Sequence, residues 1–109
     1  MKTTDDFEAR YNSREELRGP NMREISFNVH VFREGQAFVA HVPELDVSSC
    51  GDMADDARRN IKDAVRGFLE TAEEMGTLSD ILQEAGYRQV GNGWSPPEFV
   101  SLDRMAVGI

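Results

Sequence analysis

Two stretches of alternating polarity, "EISFNVHVF" at residues 24–32 and "AFVAHV" at 37–42, stand on either side of "REGQ". In the first, Ile25, Phe27, Val29 and Val31 share one face, and Ser26, Asn28, His30 and Phe32 share the other. In the second, Phe38, Ala40 and Val42 alternate with Ala37, Val39 and His41. A two-residue Glu34–Gly35 turn would pair Val31 with Phe38, Val29 with Ala40 and Phe27 with Val42. All of these apolar side chains then fall on one sheet face. A slip of one residue would mix the faces, so the sequence predicts a β-hairpin with a single buried side.

Pro43 ends ladder donation, "LDVSSC" reads as a third short strand, and Gly51-Asp52 closes it. Asp52 is the expected N-cap of a helix with Asp55 and Asp56 in its first turn, where the helix dipole favours negative charge. The stripe Ala57, Ile61, Ala64, Val65, Phe68, Leu69 and Ala72 gives that helix one apolar side, and Gly76 ends it. "TLSDILQEAG" predicts a shorter helix with Thr77 as cap, Leu78, Ile81, Leu82 and Ala85 inward, and Gly86 as terminator. "YRQVGNGWSPP" reads as loop and "EFVSLDRMAV" as a last strand. The expected fold is therefore α+β: a three- to four-stranded antiparallel sheet packed on one long helix plus a short one, in the order β-β-β-α-α-β. Residues 1–22 form a charged leader, read either as a short helix through Phe7 and Tyr11 or as a frayed segment. Residues 23–109 form one domain.

Charge narrows the function. Twenty acidic against 12 basic side chains give a net charge of −8. That disfavours direct nucleic-acid binding, which needs clustered Lys and Arg, and suits a basic protein partner. Cys50 is the only cysteine, so no intramolecular disulfide forms and a reducing compartment is expected. The polar N-terminus lacks the apolar core of a signal peptide, and no apolar run approaches the roughly 20 residues of a membrane helix. These features lead us to expect a soluble, cytoplasmic protein.

The middle of the chain, "FREGQAFVAHVPELDVSSCGDMADDARRNIKDAVRGFLETAEEMG", resembles the HicB-like antitoxin family of type II toxin–antitoxin pairs. The marks are Ala40, Pro43, Glu44, Leu45, Gly51, Asp52, Ala57, Asn60 and Ala64, followed by "ILQEAGY" and "WSPP". The resemblance covers about 75 residues, from Ile25 to Pro97. It implies a trimmed ribonuclease-H-like fold and a role in binding and blocking a small basic mRNA-cleaving toxin. Many members add a C-terminal DNA-binding module. The 15 residues after Trp94 are too few for one, so repression by this chain alone is not expected.

Several groups of residues invite a chemical reading. Glu44, Asp46, Asp52, Asp55 and Asp56 are expected to gather around the Pro43–Gly51 corner, either as a solvated turn and capped helix or as an acidic landing patch for a basic partner. Late in the helix, Glu70, Glu73 and Glu74 crowd turns where the dipole favours cations, at about 0.3–1 kcal/mol each. Arg66, four residues before Glu70, is the local relief. We read these eight acids as the candidate partner-binding set. A two-metal nuclease site needs converging carboxylates, and the predicted inward face carries none, so no catalytic residue, metal or cofactor is expected. His30 and His41 share a hairpin face but fall short of a zinc ligand set, and Cys50 could join them only if the third strand pairs beside the second. Otherwise Cys50 is a small buried or half-buried residue. Phe32, Val39 and Val47 on the second face are too apolar for open water. We expect the leader, the last strand's loop or another subunit to cover them. Trp94 reads either as a lid over the core or, with Phe32 and Val39, as part of a homo-oligomer face. The alternatives to a toxin-binding module are a stand-alone oligomer of regulatory role and, less favoured, a metal-dependent hydrolase.

Overall fold

The computed structural model describes residues 24–109; the leader read over residues 1–22, with its Phe7–Tyr11 pair, lies outside them. Strands β1 (His30–Glu34), β2 (Ala37–Val42) and β3 (Val47–Gly51) precede helix α1 (Ala54–Glu74) and helix α2 (Leu78–Glu84). A small hairpin follows, β4 (Arg88–Val90) and β5 (Gly93–Ser95). The first three strands form an antiparallel sheet in the order β1-β2-β3, and β4 and β5 form a separate two-stranded sheet. The α+β class, the three-stranded sheet, the long helix and the short helix are as expected.

The β1–β2 register differs from expectation by two residues. Val31 faces Ala40, Arg33 faces Phe38 and Glu34 faces Ala37, so the turn is Gly35-Gln36 rather than Glu34-Gly35. The cause is steric. Gly35 adopts φ 64°, and a turn of this kind requires its first central residue in the left-handed region, which glycine enters freely and glutamate does not. A shift of two preserves the faces. Ala40 and Val42 are fully buried and Val31 and Phe38 half-buried on one side, while Phe32, Val39 and His41 lie on the other. The same shift shortens β1. Val29 would have to pair with the last residue of β2, so residues 24–29 run outside the ladder although Ile25 and Phe27 still pack on the core.

Small residues seat α1 on the sheet. A Cβ on Gly51 would lie 2.6 Å from Cβ of Asp56 and 2.7 Å from the Ala57 nitrogen, so the first turn of the helix rests directly on the end of β3. Ala57, Ile61 and Val65 are buried beneath the helix, with Ala64, Phe68 and Leu69 at the margin. Met53, not Asp52, is the N-cap, and no side chain caps this end. The close seat explains the difference: the chain must pass from Gly51 into the first turn within two residues, which places Asp52 one position too early. Asn60 Nδ2 donates 2.7 Å to the carbonyl of Cys50, tying the helix to the outer edge of β3.

Both helices end alike. Gly76, at φ 78°, donates to the Glu73 carbonyl while Thr77 N–H donates to Ala72, and Gly86 and Tyr87 repeat the pattern with Gln83 and Leu82. These paired bonds satisfy the last carbonyls from the backbone itself. The Thr77 hydroxyl turns back to the Ala72 carbonyl instead of capping α2.

The C-terminal part departs most from expectation. "YRQVGNGWSPP" holds the β4–β5 hairpin around Gly91-Asn92, again with glycine first in the turn at positive φ. "EFVSLDRMAV" carries no strand; every residue from Glu98 to Ile109 is exposed. Among the described residues the order is thus β-β-β-α-α-β-β, and no fourth strand joins the main sheet. The small hairpin instead delivers Trp94, 8% exposed, and the α2 end delivers Tyr87, 2% exposed, into the core. Val47 also faces the core side, opposite Val42, rather than the second sheet face. No helix among the described residues is long and apolar enough to cross a membrane.

The helix seat yields a paired test. Gly51→Ala must displace backbone and should cost about 1–3 kcal/mol in urea unfolding. Gly67→Ala, at a site in α1 where a Cβ meets nothing within 4 Å, should instead stabilise by about 0.5–1 kcal/mol.

Candidate functional site

The turn between β2 and β3 is built from Pro43 to Asp46. Asp46 N–H donates 2.8 Å to the Val42 carbonyl, and Asp46 takes φ 55°, a left-handed conformation that aspartate tolerates better than most residues. Its carboxylate lies 3.1 Å from His41 Nε2 and is otherwise open to solvent. Leu45 drops into the core beneath it.

Glu44 turns inward from the same corner. Its carboxylate accepts from the Asn28 amide nitrogen at 3.3 Å and from Asn28 Nδ2 at 2.6 Å. Nearby, Tyr87 OH donates 2.5 Å to the Ser26 carbonyl. Burial, and then the negative charge of Glu44, push the Tyr87 phenol up to about 12. Glu44 and Tyr87 together clip residues 26–28 to the body of the domain. Nothing in the alternating pattern of the sequence pointed to either bond. The available signal was the Tyr following the Gly86 terminator, a position whose side chain commonly folds back onto the helix it ends.

The eight candidate acids do not form one patch. β3, five residues and roughly 17 Å long, separates Asp46 from Asp52. Asp55 pairs with Arg58 at 2.6 Å, and Asp56 pairs with Arg59, so the helix start is largely neutralised by its own next turn. Arg66 bonds Asp63 at 2.9 Å rather than reaching Glu70. At the far end of α1 the acids stay together. Glu70, Glu73 and Glu74 are all exposed, their i, i+3, i+4 spacing puts them on one ridge, and the last turn holds no basic residue. α1 is about 31 Å long, so this ridge lies far from the helix start at Gly51.

On the sheet face away from the helix, Phe32, Val39 and Cys50 stand in one row across the three strands, and His30, His41 and Ser48 in the next. Phe32 is 48% exposed. Cys50 is exposed rather than buried, because β3 presents it outward. β3 does pair beside β2, the condition for Cys50 to approach the histidines. Even so, among the described residues no group of three or more His, Cys, Asp or Glu side chains is placed to hold a metal ion. The helix-facing side of the sheet carries Val31, Arg33, Phe38, Ala40, Val42, Val47, Ser49 and Gly51, with no carboxylate. Arg33 lies over the Phe38 ring at 5.1 Å, extending the apolar surface with its stem. Trp94 does not join Phe32 and Val39 on an outer face. Its indole is buried in the core of its own chain, so it serves as the lid of the two readings and not as the oligomer contact.

Compared with known protein families, characterised proteins and solved structures, the chain matches none.

Two outcomes follow from the corner. Asp46→Ala should cost about 1–2 kcal/mol in chemical denaturation, from left-handed strain, and Asp46→Gly should recover part of that. Tyr87→Phe should cost about 1 kcal/mol near neutral pH by orphaning the Ser26 carbonyl. The wild-type phenol titrates higher when folded than when unfolded. Between about pH 10 and 12 the unfolded chain therefore holds fewer protons, and stability falls as pH rises through that window. A Tyr87→Phe variant should lose this alkaline decline, as read from its urea midpoint at each pH.

Proposed function

We propose that this chain is a non-catalytic protein-binding module of the HicB-like antitoxin kind, which occludes a small basic mRNA-cleaving toxin in the cytoplasm. The reading takes the β1-β2-β3 meander and the helix behind it as a trimmed ribonuclease-H-like sheet. The observation that carries it is the acidic ridge at the end of α1, where Glu70, Glu73 and Glu74 are exposed and no basic residue shares the last turn. Such an arrangement opposes the helix dipole, so it favours a surface role over a stabilising one. Asp46 and Asp52 add exposed charge at either end of β3. Asp55 and Asp56 contribute less because Arg58 and Arg59 already pair with them, and Glu44 contributes least because it is committed to Asn28. The marks of the resemblance have packing reasons of their own: Gly51 and Ala57 form the helix seat, and Asn60 binds the β3 edge.

A second reading, self-association into a homo-oligomer, is favoured by the outer sheet face, where half-exposed Phe32 stands opposite Val39.

Reversing Glu70, Glu73 and Glu74 to Lys should leave the fold intact or slightly more stable. It should slow association with a small basic cognate toxin and flatten the salt dependence of the on-rate, measured by stopped flow or surface binding kinetics. Unchanged association at low salt would remove the ridge from the interface.

A further inference from the structure

The segment from Glu98 to Ile109 carries many large apolar residues but pairs with no strand. Phe99, Val100, Leu102, Met105, Val107 and Ile109 are all exposed, Met105 and Val107 at 86% each. Met105, Val107 and Ile109 alternate with Ala106 and Gly108, so in extended form the last five residues present one wholly apolar side, while Ser101 and Asp103 interrupt that side earlier in the segment. Water is a poor environment for such a row, and the described residues bring nothing against it.

The same chain carries a sheet without its outer strand. The two-residue Gly35-Gln36 turn closes on a hydrogen-bonded pair, Glu34 and Ala37, so Phe32 and His30 also direct their backbone groups to β2. The N–H and C=O groups of Val31 and Arg33 therefore point to the free side of β1, which is an edge of the sheet. The opposite edge is partly taken, since Asn60 already occupies the Cys50 carbonyl. Among the described residues β1 thus offers an open ladder, and the row beginning at Phe32 lies beside it on the outer face.

We propose that residues 98–109 are an exchanged arm that adds as a fourth strand to β1 of a second copy of this chain, with Met105, Val107 and Ile109 on the face that carries Phe32 and Val39. Two observations favour a second copy over the chain's own edge. The β4–β5 hairpin that launches the arm does not pack extensively against β1. Within its own chain the arm pairs with no strand of the sheet, and its twelve residues, extended, reach roughly 40 Å, enough to cross a neighbouring copy. Each copy has one arm and one open edge, so a reciprocal exchange about a two-fold axis satisfies both and closes. This rests on the self-association reading and not on the toxin one, and its test needs no toxin.

The test uses the full chain and the variant Met105→Asp/Val107→Asp, whose substituted side chains lie outside the folded body. Light scattering at micromolar concentration should give a dimer for the wild type and a monomer for the variant, both with the same circular dichroism. Hydrogen exchange should show the Val31 and Arg33 amides protected on the order of tenfold more in the wild type. A dimer that persists unchanged in the variant overturns the arm while leaving self-association standing. A monomeric wild type overturns both, and if its Val31 and Arg33 amides are protected the arm lies on its own edge.

Discussion

The architecture depends on how closely α1 approaches the sheet. Gly51 has no side chain to hold the helix away, and Ala57 and Ala40, both fully buried, keep the contact thin. A wider separation would leave Ile61 and Val65 short of the strands, and protein interiors tolerate such gaps poorly. The seat also dictates the rest of the chain. Because one helix covers one face of three strands, the ends of that layer need lids. Leu45 closes one end from the β2–β3 turn, while Trp94, Tyr87 and α2 supply buried side chains from the C-terminal half. Among the described residues the other sheet face receives no helix.

Parity in the sequence carried more information than register. Alternation alone assigns Val31, Phe38, Ala40 and Val42 to the buried side, and any even shift leaves that assignment intact. Register depends instead on which turn residue can take a left-handed conformation, and Gly35 settles that at the cost of two positions. The helical stripe was legible for the same reason as the faces: it is a long periodic signal. β4 and β5 were not, being three residues each and held by a Gly91 turn and one buried indole rather than by alternation. Conversely, the apolar run after Pro97 has the composition of a strand but no neighbouring strand to pair with, and pairing is not a local property.

Acidic side chains illustrate a second limit of reading along the chain. Glu44, Asp46, Asp52, Asp55 and Asp56 are close in sequence, yet a strand running between them spreads them across the molecule, and each finds a different fate. Glu44 clips residues 26–28, Asp46 meets His41, and Asp55 and Asp56 pair one turn ahead with arginines. Proximity in sequence predicted a patch; the backbone distributed it. Glu70, Glu73 and Glu74 stay together because a helix preserves i, i+3, i+4 neighbours.

The glycine-terminated ends of α1 and α2 bear on how such a protein can change. Since the Gly76 and Thr77 N–H groups, with the Thr77 hydroxyl, satisfy the last carbonyls of α1, that end needs no basic side chain from the last turn of the helix. Selection can therefore rewrite that surface, from acidic to neutral or basic, while the hydrophobic seat around Gly51 and Ala57 stays fixed. In a lineage that must keep pace with a drifting partner, this separation of duties lets recognition evolve by single steps that need no compensating repair in the core.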